Sequence, residues 1–128
     1  MKETNKSLKY LFIIFGVFGL FSIGGISIIS QYPILGIIDL INVIFGIVYI
    51  YIGVKLYDLM PDKNKYIINF LWIDLIFAIL TNVYLLLIMG GVGYTIFNIA
   101  INVVITLYLI NNINKLAENR VIDKTNKN

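Results

Sequence analysis

Two carboxyl groups stand where carboxylates are costly. Asp39 lies in the apolar run "GIIDLINVIFGIVYIYIGVKLYDL", from Gly36 to Leu59. Asp74 lies in "YIINFLWIDLIFAILTNVYLLLIM", from Tyr66 to Met89. Crossing a bilayer takes about 20 apolar residues, so both runs are long enough. A charge at the bilayer centre costs at least roughly 2.5–3.5 kcal/mol on insertion scales. Each acid must therefore be protonated, hydrogen-bonded to a partner, or hydrated. Ionisable groups inside membrane spans mark proton and ion paths, so the chemistry on offer is the binding of a proton or small cation.

Neutral oxygen ligands recur at helical spacing. Asp39, Asn42, Gly46, Tyr49 and Gly53 are separated by 3, 4, 3 and 4 residues, one stripe of a helix. Thr95, Asn98, Asn102 and Thr106 form a second stripe, at spacings of 3, 4 and 4. Asp74, Ala78, Thr81 and Asn82 share a third face. Helical rise fixes their depths relative to the uncharged connections. Asp39, Asn82 and Asn98 fall in one outer layer, Asn42 and Asn102 about a turn deeper, and Asp74 deeper still, level with Gly46 and Thr106. The functional expectation is a hydrated site built from Asp39, Asn82 and Asn98, with Asp74 as a second station. The competing expectation is a set of interhelical hydrogen bonds, worth about 0.6 kcal/mol each in a measured membrane protein.

The elements that must hold these groups are four apolar spans. Hydrophobic residues make up 59% of the 128 and charged residues 13%, far from the usage of a soluble domain. TM1 is expected at about 9–30, TM2 at about 33–57, TM3 at about 66–89 and TM4 at about 94–116. Residues 117–128 read as a polar tail, frayed at its end. The basic start resembles a signal peptide, but the apolar run is too long and no A-x-A-type site follows, so TM1 is expected to be retained. Gly16, Gly19 and Ser22 give TM1 a face for close helix packing. Pro33 suits the first turn of TM2, and Pro61 breaks the loop after it.

All ten Lys and Arg lie in the N-terminal segment, at the TM2–TM3 junction (Lys55, Lys63, Lys65) or at the C-terminal end. The positive-inside rule then places both termini in the cytoplasm. The expected fold is an all-α integral membrane protein: a single domain, residues 1–128, forming an antiparallel four-transmembrane-helix bundle in the cell membrane. Residues 42–56 also lie over 102–116 with five identities in fifteen, which suggests a parallel internal repeat about an axis along the membrane normal.

Several functions are unsupported. The chain has no Cys and no His, which removes thiol nucleophiles, His bases and the usual zinc sites. No catalytic set, metal or cofactor is expected. A lipid-headgroup enzyme would have to use Lys55, Asp58, Asp62, Lys63 and Lys65, a loop better explained as topology charge. The net charge of +3 flanks membrane spans and indicates no nucleic-acid partner. The expected partners are the lipid bilayer and either a second copy or another membrane protein.

Length and helix number resemble the many small four-helix membrane proteins of bacteria and archaea, and that likeness carries over no residues. Small multidrug-resistance transporters carry an essential Glu in the first helix; Lys9 to Ser30 holds no acid. Fluoride channels place a basic residue in the first helix and a Phe-bearing polar motif in the third, and "LTNVYLL" does not match it. Intramembrane aspartyl proteases need a GxGD motif, absent from "GIID" and "LWID". Two functions are therefore expected: a non-enzymatic accessory, assembly or immunity-type subunit, or a small oligomeric transporter or channel using Asp39 and Asp74.

Overall fold

The computed structural model describes residues 2–21, 31, 33–59 and 62–127, and its regular structure there is entirely helical. The helices are α1 (Lys2–Leu20), α2 (Pro33–Val54), the short α3 (Leu56–Leu59), α4 (Asn64–Met89) and α5 (Val92–Lys127). They divide into two compact units, Met1–Leu59 and Met60–Asn128.

The first unit is an antiparallel pair of helices brought together by glycine. A methyl group on Gly46 would stand 2.6 Å from the Gly16 carbonyl oxygen, and one on Gly19 would stand 2.8 Å from that of Asn42. A methyl group on Gly53 would stand 3.0 Å from the carbonyl oxygen of Lys9. Backbone thus packs on backbone, the contact that small residues permit between membrane helices. Below the crossing, Leu8 and Phe12 from α1 are buried, as are Tyr49, Ile52 and Leu56 from α2 and α3. Tyr49 packs its ring against Phe12 at 5.9 Å and edge-on to Phe15 at 6.2 Å. The stripe read from the sequence of TM2 does face a helix: Gly46, Tyr49 and Gly53 are buried, Asp39 and Asn42 half-buried. The helix of TM1 starts earlier than expected, at Lys2. The rest of that expected span, Ser22 included, lies outside the described residues.

The second unit is a hairpin of α4 and α5 turned by two glycines. Gly90 has φ 79° and ψ −159°, and Gly91 has φ 87°, conformations open to glycine and strained for other residues. The Gly90 N–H closes α4 onto the Leu86 carbonyl, and the Thr95 N–H bonds the Gly91 carbonyl as α5 begins. Ile67, Leu71 and Leu75 of α4 are buried, and so are Leu109, Ile113, Leu116 and Ala117 of α5. This last stripe explains a difference from the sequence reading. Residues 117–127 are helix rather than frayed tail, because the buried spacing of α5 runs on through Ala117 and holds the helix past the apolar span. At 36 residues α5 is about 54 Å long, against about 30 Å of hydrocarbon.

α2, α4 and α5 are each long and apolar enough to cross a membrane. Their outer faces match that solvent. Leu80, Leu87, Ile96, Phe97 and Val104 are all more than 60% exposed, and apolar residues run right around α4. Apolar surface on this scale is foreign to a soluble monomer. A helix greasy on every side belongs in a large core or in lipid.

The two units share a burial pattern. Leu8, Phe12 and Gly16 of α1 correspond to Ile67, Leu71 and Leu75 of α4, displaced by 59 positions. Gly46, Tyr49, Gly53 and Leu56 correspond to Thr106, Leu109, Ile113 and Leu116, displaced by 60. All fourteen are buried.

Candidate functional site

The six polar residues singled out in the sequence divide between the units. Asp39 and Asn42 sit on α2 in the first; Asp74, Asn82, Asn98 and Asn102 sit on α4 and α5 in the second. All six are half-buried.

Asp39 and Asn42 lie at the end of the α2 stripe. The glycine contacts pair Gly19 with Asn42 and Gly53 with Lys9, so partners on α1 rise in number as those on α2 fall.

The α4–α5 hairpin can be followed along its length. Counted from Gly90, Asn82 and Asn98 are equally far along their helices, and so are Ala78 and Asn102, and Asp74 and Thr106. Each step is one turn, about 6 Å of rise. The α5 members lie on its packed side: Thr95 and Thr106 are only 6% and 5% exposed. Beyond Asp74 and Thr106 the same count pairs Leu71 with Leu109 and Ile67 with Ile113, all fully or nearly fully buried. The interface therefore has two halves. From the glycine turn to Asp74 the counted positions are amides, hydroxyls and a small alanine, with buried Leu75 beside Asp74. From Leu71 onward it is hydrocarbon.

The asparagines make bonds that the sequence reading did not foresee. The Asn82 side-chain amide donates to the Ala78 carbonyl at 2.8 Å, and the Asn102 amide donates to the Asn98 carbonyl, also at 2.8 Å. Asn112 repeats the arrangement on Tyr108. Each bond spans four residues of the donor's own helix, so these amide donors stay within their helices instead of joining two. An Asn amide has two N–H donors and a carbonyl oxygen. With one N–H turned back on the helix, a second N–H and the carbonyl oxygen remain for other partners. Among the described residues no cluster of three or more Asp and Glu could hold a metal ion.

Sequence reasoning read Thr95 and Thr106 as members of the second stripe but did not include them in the site, and among the described residues they are the buried polar ones. Their spacing with Asn98 and Asn102 was the available signal. It also missed an open depression of about 680 Å³ at the far end of the hairpin, lined by Asn64, Asn114, Ala117, Glu118, Val121 and Ile122. Reading the end of the chain as a frayed tail concealed it. Comparison with protein-family models, curated proteins and solved structures finds no match for this chain.

Proposed function

We propose that this chain is a non-enzymatic, multi-pass protein of the cell membrane that works through helix–helix contacts in the bilayer, as an accessory, assembly or immunity-type subunit. One observation carries the reading. Each hairpin uses a single stripe for its own packing and leaves long apolar faces uncovered, as on α4, where Trp72, Ile73, Ile76, Leu80 and Leu87 are exposed. Lipid covers such faces adequately, and so does another membrane helix. The reading includes an antiparallel four-helix bundle with both termini cytoplasmic. The charge distribution supports that orientation, and exposed Tyr10, Tyr66 and Tyr94 suit headgroup levels. The test is mild-detergent purification after crosslinking in native membranes. A stoichiometric membrane partner recovered in several detergents is the expected result; its absence from all of them refutes the role.

A specific observation favours a second reading, an oligomeric proton- or cation-coupled transporter or channel. Asp39 and Asp74 are half-buried on spans apolar enough for a bilayer, and the α4–α5 seam sets a row of polar residues in front of Asp74. A two-helix seam is narrow, so a complete route would need more than one copy, and symmetric homodimers are common. Liposome flux of protons or monovalent cations, with Asp39→Asn and Asp74→Asn as controls, tests it. Flux that survives both substitutions rules out the acids as ligands.

A further inference from the structure

We propose that the α4–α5 seam is a hydrated half-channel, with water and the proton as its ligands, that opens at the Gly90–Gly91 turn and ends at Asp74. Three observations converge on it. The polar residues occupy successive turns on both helices: Asn82 with Asn98, Ala78 with Asn102, Asp74 with Thr106. The amides of Asn82 and Asn102 donate one N–H back to their own helices, and each keeps a carbonyl oxygen and a second N–H that water can bond. Polar groups removed from bulk water cost free energy unless hydrogen-bonded, and an ordered water needs two to four polar partners and room. The rungs supply the partners, and at the level of Asn102 the facing count on α4 is a small side chain, Ala78.

The far end is closed. Leu71, Leu109, Ile67, Ile113 and Leu116 are at most 3% exposed and carry no polar side-chain atom. A seam packed in this way has no partners for water, and empty apolar cavities stay dry. Asp74 thus exchanges with the glycine-turn side alone. On the seam, α5 presents Asn102, Thr106 and Leu109 around this level, and α4 presents Leu71, Leu75 and Ala78; none is titratable. Tyr108 lies on the exposed side of α5. Under the orientation proposed above, the opening faces the cell exterior.

The inference rests on the transporter reading for its purpose but not for its test. The chain has no cysteine, so single cysteines report cleanly. Asn82→Cys, Asn98→Cys, Asn102→Cys and Thr106→Cys are placed along the seam, Leu71→Cys and Ile113→Cys in the plug, and Leu80→Cys on the outer face. Val92→Cys, beside the turn, reports which side of a sealed vesicle the turn occupies. Each full-length variant that runs as a single species in detergent is reconstituted and treated with a membrane-impermeant cationic methanethiosulfonate. Reaction of the seam positions from the Val92 side, slower with depth and lost at Leu71, Ile113 and Leu80, is the expected result. Protection of all seam positions while Val92→Cys reacts overturns the proposal, and so does reaction at the plug as fast as at the seam. Should one seam variant misfold, the other three still decide between these outcomes. Flux without seam access would sink the half-channel and leave the transporter reading standing; seam access without flux would do the reverse.

Discussion

Glycine does opposite things at two places in this chain. At Gly46 the space is missing: a methyl group would lie 2.6 Å from the Gly16 carbonyl oxygen and 3.1 Å from the Leu20 nitrogen. Backbone atoms cannot swing aside, so α1 and α2 must separate. Gly46→Ala should therefore destabilise the protein by roughly 1–3 kcal/mol, the range for overpacking. This outweighs the gain of up to about 1 kcal/mol that Ala brings to a helix interior. Thermal unfolding in detergent measures it, and a raised midpoint would refute the close crossing. At Gly90 the space is open, with nothing within 4 Å of an added methyl group, but φ is 79°. Gly90→Ala should cost about 1–3 kcal/mol through backbone strain alone. The seam amides predict a smaller effect. Because Asn102 bonds its own helix, Asn102→Ala should cost less than about 1 kcal/mol, as interhelical bonds in membranes average about 0.6. A loss of several kcal/mol would show that this amide joins two helices after all.

At the scale of elements, much was legible beforehand. Apolar length placed α2, α4 and α5 to within a few residues at nearly every end, since a bilayer-length hydrophobic run has few alternatives to helix. The end of α5 was not legible. Its last turns are rich in Asn, Lys and Glu, which conceal the buried positions Ile113, Leu116 and Ala117 among polar neighbours. Which residues share the packed faces of α2 and α5 was legible because the helical period decides it. The direction of the amide bonds was not, because an Asn can reach its own helix or a neighbour with the same sequence around it. Leu109→Ala should loosen the hairpin by about 2–5 kcal/mol, as fully buried Leu→Ala changes do. An effect equal to that of exposed Leu107→Ala would mean that α5 does not pack on that face.

For the whole molecule, the shared burial pattern of the hairpins gives the proposed internal repeat a second footing beside the five sequence identities. The halves differ in how closely they pack. Where the first hairpin has Gly16, Gly46 and Gly53, the second has Leu75, Thr106 and Ile113. Among the described residues, side chains there take the place of backbone contact. Orientation is tested at this scale. Cysteines placed near Lys6, Lys63 and Lys115 should all be labelled from the cytoplasmic side, and one at Val92 from the other; any mixture defeats the two-termini-in arrangement. The sequence by itself determined the solvent and the secondary structure, because hydrocarbon thickness and backbone hydrogen bonding leave so little choice. It also determined which residues share a helix face, through the 3.6-residue period. Only the tertiary structure decided which glycines touch backbone, how far the last helix runs, and that the amides each turn one donor onto their own helices. Those outcomes depend on which atoms the facing helix brings within reach, and no local rule of spacing contains that distance.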